Sequence, residues 1–163
     1  MIVAANNLVG AIPEEIEYFS NVTSIDMSYG KITGKLPSSL EKLTLLKELN
    51  LIKNMLTGTI PDFLYTHGQL AELYLSNNSF TGTIHPSLGK SPLESFYVSY
   101  NELKGSIPAA VGKSEALRIV DLSRNHLTGT IPEFVSYSRI YELSLYEMIS
   151  TERFPAALAR CLI

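Results

Sequence analysis

Cysteine is almost missing from this sequence: Cys161 stands alone among 163 residues. A single thiol rules out an internal disulfide, and with it the loop-rich frameworks that depend on several. Basic residues are not in surplus either. Thirteen Lys and Arg against sixteen Asp and Glu give a net charge of −3, so the basic footprint of a nucleic-acid binder is missing. No apolar run approaches the roughly 18 residues of a membrane span. The opening Met1-Ile2-Val3-Ala4-Ala5 has neither the basic start nor the long apolar stretch of a secretion signal. There is no Gly-rich phosphate loop, no metal-ligand spacing, no nucleophile elbow and no kinase motif set. These gaps argue against an enzyme, and no cofactor or metal is expected.

What is present is repetition. The block Asn54-Met55-Leu56-Thr57-Gly58-Thr59-Ile60-Pro61 returns at Asn6 to Pro13, Gly30 to Pro37, Asn78 to Pro86, Asn101 to Pro108 and Asn125 to Pro132. A worn copy runs from Met148 to Pro155. Leucine-type residues open successive units at Val22, Leu46, Leu70, Leu93, Leu117 and Ile140. Within a unit the pattern is L-x-x-L-x-L-x-x-N-x-L-x-G-x-I-P. A fixed period of this kind marks a solenoid, in which units stack on one continuous core.

Each position has a physical task. The L-x-L pair alternates inward and outward, which predicts short strands near 24–27, 48–51, 72–75, 95–98, 119–122 and 142–145, with Met1–Val3 a candidate seventh. Asn at the following turn suits a buried amide that bonds neighbouring backbone. The next apolar residue and the Ile refill the core from the far side. Gly between them permits a bend closed to residues with a Cβ. Pro then opens a short convex helix or turn, favoured electrostatically by Glu14, Glu15 and Glu133. Leu40 and Leu43, or Phe63 and Leu64, turn that segment inward.

The pattern resembles plant-type leucine-rich repeats of the L-x-G-x-I-P subclass, and the resemblance covers almost the whole chain. That subclass forms the ectodomains of plant receptor-like kinases and receptor-like proteins, and the plant polygalacturonase inhibitors. It implies an α/β solenoid: a right-handed coil with a parallel concave sheet of about six short strands and short helices or turns on the convex side. It further implies a non-catalytic protein- or peptide-recognition module at the cell exterior, part of a receptor-like protein that binds a ligand or co-receptor on its concave face. Two alternatives stay open. One is an inhibitor of a secreted cell-wall-degrading enzyme. The other is an intracellular or cytoplasmic scaffold, favoured by the missing secretion signal and the lone cysteine. The paired-cysteine caps that flank plant receptor ectodomains are absent.

One domain is expected over 1–163. It comprises a partial leading repeat 1–21, repeats 22–45, 46–69, 70–92, 93–116 and 117–139, and a degenerate last repeat 140–163. The abrupt start and the apolar finish at Cys161-Leu162-Ile163 lead us to expect a fragment, or a short diverged member, of a longer repeat protein. Its uncapped ends would favour self-association. Cys161 aligns with the buried Leu43 position and is read as core. Gly30 replaces Asn, so one amide rung should be missing. His85 takes a Pro slot; with no second ligand at matching spacing, it is read with His67 and His126 as an isolated histidine at the surface.

Function must then lie in outward-facing strand positions, expected in four columns on the concave face. The first is Ser24, Glu48, Glu72, Ser95, Ile119 and Glu142. The second is Asp26, Asn50, Tyr74, Tyr97, Asp121 and Ser144. The third is Ser28, Ile52, Ser76, Ser99, Ser123 and Tyr146. The last is Tyr29, Lys53, Asn77, Tyr100, Arg124 and Glu147. Tyr74, Tyr97 and Tyr100 are expected to form one aromatic patch, which suits a protein or peptide contact. Six acids (Asp26, Glu48, Glu72, Asp121, Glu142, Glu147) face two bases, Lys53 and Arg124, so the face carries −4. That charge would steer basic partners toward the concavity. Two N-glycosylation sequons, at Asn21 and Asn77, matter if the chain is secreted. A glycan on Asn77 would obstruct the tyrosines, so both features are not expected to function together.

Overall fold

The leucine pair of each unit becomes a strand because only an extended backbone buries both leucines and exposes the residue between them. A computed structural model describes residues 8–136 and 138–147. In chain order the strands are β1 (Val9–Ala11), β2 (Ser24–Asp26), β3 (Lys31–Gly34), β4 (Glu48–Asn50), β5 (Met55–Thr59), β6 (Glu72–Tyr74), β7 (Ser79–Thr81), β8 (Ser95–Tyr97), β9 (Lys104–Gly105), β10 (Ile119–Asp121), β11 (His126–Leu127) and β12 (Glu142–Ser144). The even-numbered strands lie side by side in one parallel six-stranded sheet, the concave sheet expected from the repeat. The candidate strand at Met1–Val3 lies outside the described residues, as do the worn copy from Met148 to Pro155 and Cys161.

Register stacks equivalent residues of successive units. Ile25 pairs with Leu49, Leu49 with Leu73, Leu73 with Phe96, Phe96 with Val120, and Val120 with Leu143. The first five of these side chains are buried, as are the unit-opening Leu46, Leu70, Leu93 and Leu117. Val22 and Ile140 are only partly buried. Leu56, Phe80, Leu103 and Leu127 close the core from the opposite side, with Ile60, Ile84 and Ile107. No unit could cover these faces alone; the neighbouring unit does so.

The asparagine ladder holds the units in step. Asn101 Nδ2 donates to the Val98 and Leu75 carbonyls, each at 3.0 Å, while its Oδ1 accepts the Phe80 amide at 2.9 Å. Asn54, Asn78 and Asn125 repeat this arrangement. Consecutive asparagines therefore share a carbonyl: Leu51 between Asn54 and Asn78, Leu75 between Asn78 and Asn101, Val98 between Asn101 and Asn125. The rung at Gly30 is indeed missing, and a Cβ there would lie 2.7 Å from Asn54 Oδ1.

Sequence reasoning did not anticipate a second layer of strands. β1, β3, β5 and β7 form a parallel sheet on the flank, and β9 pairs with β11. The L-x-G-x segment is extended and its equivalents stack at the same pitch, so their backbones pair. Gly82 shows why glycine recurs there. Its φ is +86°, and a Cβ would meet Thr59 Cγ2 of the preceding unit at 2.9 Å. The glycine both reaches a left-handed conformation and makes room for a neighbour's side chain.

Among the described residues the convex side is mostly 3-10 helix: Glu14–Tyr18, Ser38–Lys42, Pro86–Lys90 and Val111–Lys113, with one α-helix, α1 (Phe63–Thr66). Leu40, Leu43 and Leu64 face inward as expected. Glu14 acts across units rather than on its own helix: its Oε2 accepts the Ser39 amide at 3.0 Å, and the Ser39 contact lowers its pKa. Residues 131–135 take no regular structure, so the helix expected to start at Glu133 is not formed there.

Candidate functional site

Strand pleating points alternate side chains to the concave surface, and two of the four expected columns do line it. Tyr74 and Tyr97 occupy equivalent places on β6 and β8. Their rings stack with centroids 5.2 Å apart and an interplanar angle of 29°. Tyr74 OH donates to Glu72 Oε2 at 2.6 Å. Ser24 Oγ donates to Glu48 Oε2 at 2.8 Å, and Asp121 Oδ1 accepts the Ser123 hydroxyl at 2.6 Å. Asp26 Oδ1 accepts the Ser28 amide at 2.9 Å, closing the end of β2. Burial, then Glu72, Tyr97 and Glu48, raise the Tyr74 pKa. Burial, then Glu142 and Asp121, raise that of Tyr97. The middle of the face is therefore a phenol pair in a negative field.

The third column is not a surface. Ser28, Ser76, Ser99 and Ser123 are buried. Ser99 Oγ donates to Ser76 Oγ at 2.9 Å, and the Ser99 amide to the same oxygen at 3.1 Å. These serines sit past the strand ends, where the chain is already turning back toward the core. The small hydroxyls satisfy that turn from inside; only Tyr146 of this column is exposed.

The fourth column is a rim built on strained backbone. Tyr29, Lys53, Asn77, Tyr100, Arg124 and Glu147 all have positive φ, between 52° and 59°. Left-handed geometry disfavours residues with a Cβ, yet it recurs in each of these six units because the strand-to-ladder turn requires it. Side chains one unit apart then stack along the rim. Lys53 Nζ lies 4.6 Å from the Tyr29 ring centre. Arg124 lies 4.8 Å from Tyr100 and 5.3 Å from Tyr146, and bonds Glu147 Oε2 at 3.0 Å. The expected single aromatic patch thus divides in two. Tyr74 and Tyr97 form the floor pair, and Tyr100 belongs with Arg124 on the rim.

The histidines differ from one another. His85 is no idle surface residue: its Nδ1 accepts the Ser87 amide at 3.2 Å, capping the next 3-10 helix, and its ring stacks on the buried Tyr65 at 6.1 Å. His67 is buried beside a convex cleft of about 460 Å³ lined by Glu41, Thr44, Phe63, Thr66, Gly68 and Gln69. Burial lowers its pKa, against smaller opposing effects of the Leu40 backbone and Glu41. His126 is exposed on β11. Among the described residues, no three His, Cys, Asp or Glu side chains could hold a metal, and no helix is long and apolar enough to cross a membrane. Asn21 lies exposed in a turn, whereas Asn77 is half-buried on the rim.

A parallel concave sheet, an asparagine ladder and a polar concave face define a repeat protein that presents a surface. The Leucine Rich Repeat family model matches residues 21–43, 45–66, 69–91 and 116–138, more than half of the chain, and the chain belongs to that family. The unit between the last two matches has the same strand, ladder and flank. The structure is similar to the ectodomain of the Arabidopsis thaliana membrane receptor kinase GASSHO1/SCHENGEN3 in complex with CASPARIAN STRIP INTEGRITY FACTOR 2. That match has a TM-score of 0.87 and 33% identity, covering 96% of this chain and 19% of that one. It is also similar to the plant peptide hormone receptor RGFR1 in complex with RGF2, with a TM-score of 0.87 and 34% identity over 95% of this chain and 25% of that one. A plant ice-binding protein matches with a TM-score of 0.82 and 31% identity over 88% of this chain and 47% of that one. The chain thus spans a quarter or less of these two receptor chains and about half of the ice-binding protein. No curated protein matches it. The comparisons identify a plant-type leucine-rich repeat chain whose structural neighbours include receptor ectodomains.

Proposed function

We propose that this chain is a non-catalytic recognition module of a receptor-like protein at the plant cell exterior, and that it binds an extended peptide or a protein segment along its concave face. The observation that carries this is the floor itself. A parallel sheet sets half-buried tyrosines and carboxylates in register on adjacent strands of the concave face. Two neighbours are plant receptors solved with a second, named partner. An extended ligand meets such a face through alternate side chains, and tyrosine is among the residues enriched at the hot spots that dominate such contacts. Self-association through the ends is part of the proposal: Val9 and Tyr141 at opposite ends of the described solenoid are 74% and 61% exposed.

The test is selection of linear random peptides on the immobilised chain, followed by affinity measurement on variants. Tyr97→Ala should weaken enriched peptides by about 2 kcal/mol, near thirtyfold. Failure to enrich any peptide, or affinities indifferent to both Tyr97→Ala and a blocking Ser95→Trp, would remove the proposal.

A second reading rests on the flank. Thr33, Thr57 and Thr81 occupy one repeat position of the flank strands, and Thr128 takes the same repeat position one residue past β11. Thr57 Oγ1 and Thr81 Oγ1 donate to the Gly34 and Gly58 carbonyls, both at 3.3 Å, which holds them in one repeated orientation. Equal spacing of hydroxyl and methyl groups would suit ordered water, and one neighbour is an ice-binding protein. Lys104 interrupts the row. Ice-recrystallisation inhibition that Thr57→Lys abolishes would support this reading; ice growth unaffected by the chain would end it.

A further inference from the structure

Three concave positions already display cations on tyrosine rings: Lys53 on Tyr29, and Arg124 on both Tyr100 and Tyr146. The Tyr74–Tyr97 pair stands between them without one, although it is surrounded by more negative charge than either. Glu72 is tied to the Tyr74 hydroxyl, and Glu48 is held by Ser24. Asp121 on β10 is held by Ser123, and Glu142 lies one strand further out, on β12. None of these four carboxylates has a basic partner among the described residues, whose ion pairs are Lys42–Glu17, His85–Asp62, Arg118–Glu94 and Arg124–Glu147. The two concave bases are both spent on the rim.

We propose that the Tyr74–Tyr97 pair, with Glu72, Glu48, Asp121 and Glu142 around it, is a docking station for the guanidinium of an arginine side chain presented by an extended peptide. This deepens the recognition function proposed above and rests on it. Three features favour arginine over other occupants. Its flat guanidinium stacks on a tyrosine face and reaches carboxylates at the same time, which an ammonium does less well. The positive charge complements a floor whose four acids face no base. The hydrogen bonds to Ser24, Tyr74 and Ser123 hold three of those carboxylates in place, so little ordering remains when the ligand arrives. Charge also sets the order of events: the acidic floor draws the basic peptide in, and the tyrosines fix its register.

The experiment uses N-acetyl-arginine amide as probe and N-acetyl-citrulline amide as its neutral isostere, added to the full chain carrying labelled tyrosine. The Tyr74 and Tyr97 ring resonances should move with the arginine probe and not with the citrulline probe. Tyr97→Phe should keep the response. Tyr97→Leu should weaken it about two- to fivefold, the range of an exposed cation–aromatic contact, and Glu72→Gln should weaken it with Tyr74 still stacked. Equal shifts for both probes, or none at the pair, overturn the station. The two levels separate cleanly. Selected peptides that need Tyr97 but carry no arginine would leave the recognition function standing and the station refuted. A probe that docks at the pair while no peptide is ever selected would do the reverse.

Discussion

Removing the amide of Asn101 should cost this protein about 3 kcal/mol. The side chain is 6% exposed, so water does not replace what is lost. In Asn101→Ala the Phe80 N–H loses its acceptor at 2.9 Å. An orphaned buried donor costs roughly 1–3 kcal/mol. The Leu75 and Val98 carbonyls lose less, because each keeps a second donor, Asn78 Nδ2 at 3.0 Å and Asn125 Nδ2 at 2.9 Å. Taking half an ordinary net bond for each adds about 1 kcal/mol in all. Against a domain stability of roughly 5–15 kcal/mol this is a large fraction. Urea unfolding followed by far-UV circular dichroism and by tyrosine fluorescence measures it. Glu102→Ala, at the exposed neighbour, is the control and should change stability by less than about 0.5 kcal/mol. Because the ladder couples units, Asn101→Ala should also reduce the steepness of the transition and separate the two probes. A loss under about 1 kcal/mol with coincident, equally steep transitions would refute the reasoning. The ladder would then be a consequence of stacking, not a cause.

Glycine substitutions should rank by geometry. Gly10→Ala meets nothing within 4 Å and suffers only the positive φ of +88°, a cost of about 1 kcal/mol. Gly82→Ala adds the Thr59 clash and should lose more. Gly89→Ala would place a Cβ 2.2 Å from the Ala110 carbonyl oxygen, backbone that cannot step aside, and should be the worst of the three by thermal denaturation. A reversed order would mean that the convex segments tolerate separation. His67 predicts the pH dependence. Its folded pKa lies below the ordinary value of 6.5, so the unfolded chain binds the proton first. Stability therefore falls as pH drops below about 6.5, by at most roughly 1.4 kcal/mol per pH unit, and is fully present above it. His67→Gln should flatten that slope between pH 7.5 and 5; an unaltered slope would assign the proton elsewhere. Glu14 acts in a separate window: its lowered pKa stabilises the fold above its ordinary value of 4.5, and that contribution is lost as pH falls through the folded pKa.

The repeat determined the fold from the sequence alone, and the reason is local. Each unit spells out which residues are extended, which turn and which are apolar, and stacking adds only a translation from one unit to the next. The strands, the buried leucines and the amide ladder with its gap at Gly30 all follow from composition at fixed spacing. Tertiary structure decided what depends on direction after the strand ends. A serine one residue past a leucine and a tyrosine two past it look alike as outward candidates. The left-handed turn sends Ser76 and Ser99 into the core and lifts Tyr100 onto the rim beside Arg124, leaving Tyr74 and Tyr97 as a pair on the floor. The flank sheet was hidden for a related reason: its strands are held by backbone pairing between units, and backbone carries no residue signature. The same holds for Glu14, which bonds Ser39 one unit away, and for His85, which caps a helix where its counterparts have proline. Spacing along one chain specifies a unit, and only the packing of unit on unit settles which side chains remain free to meet a partner.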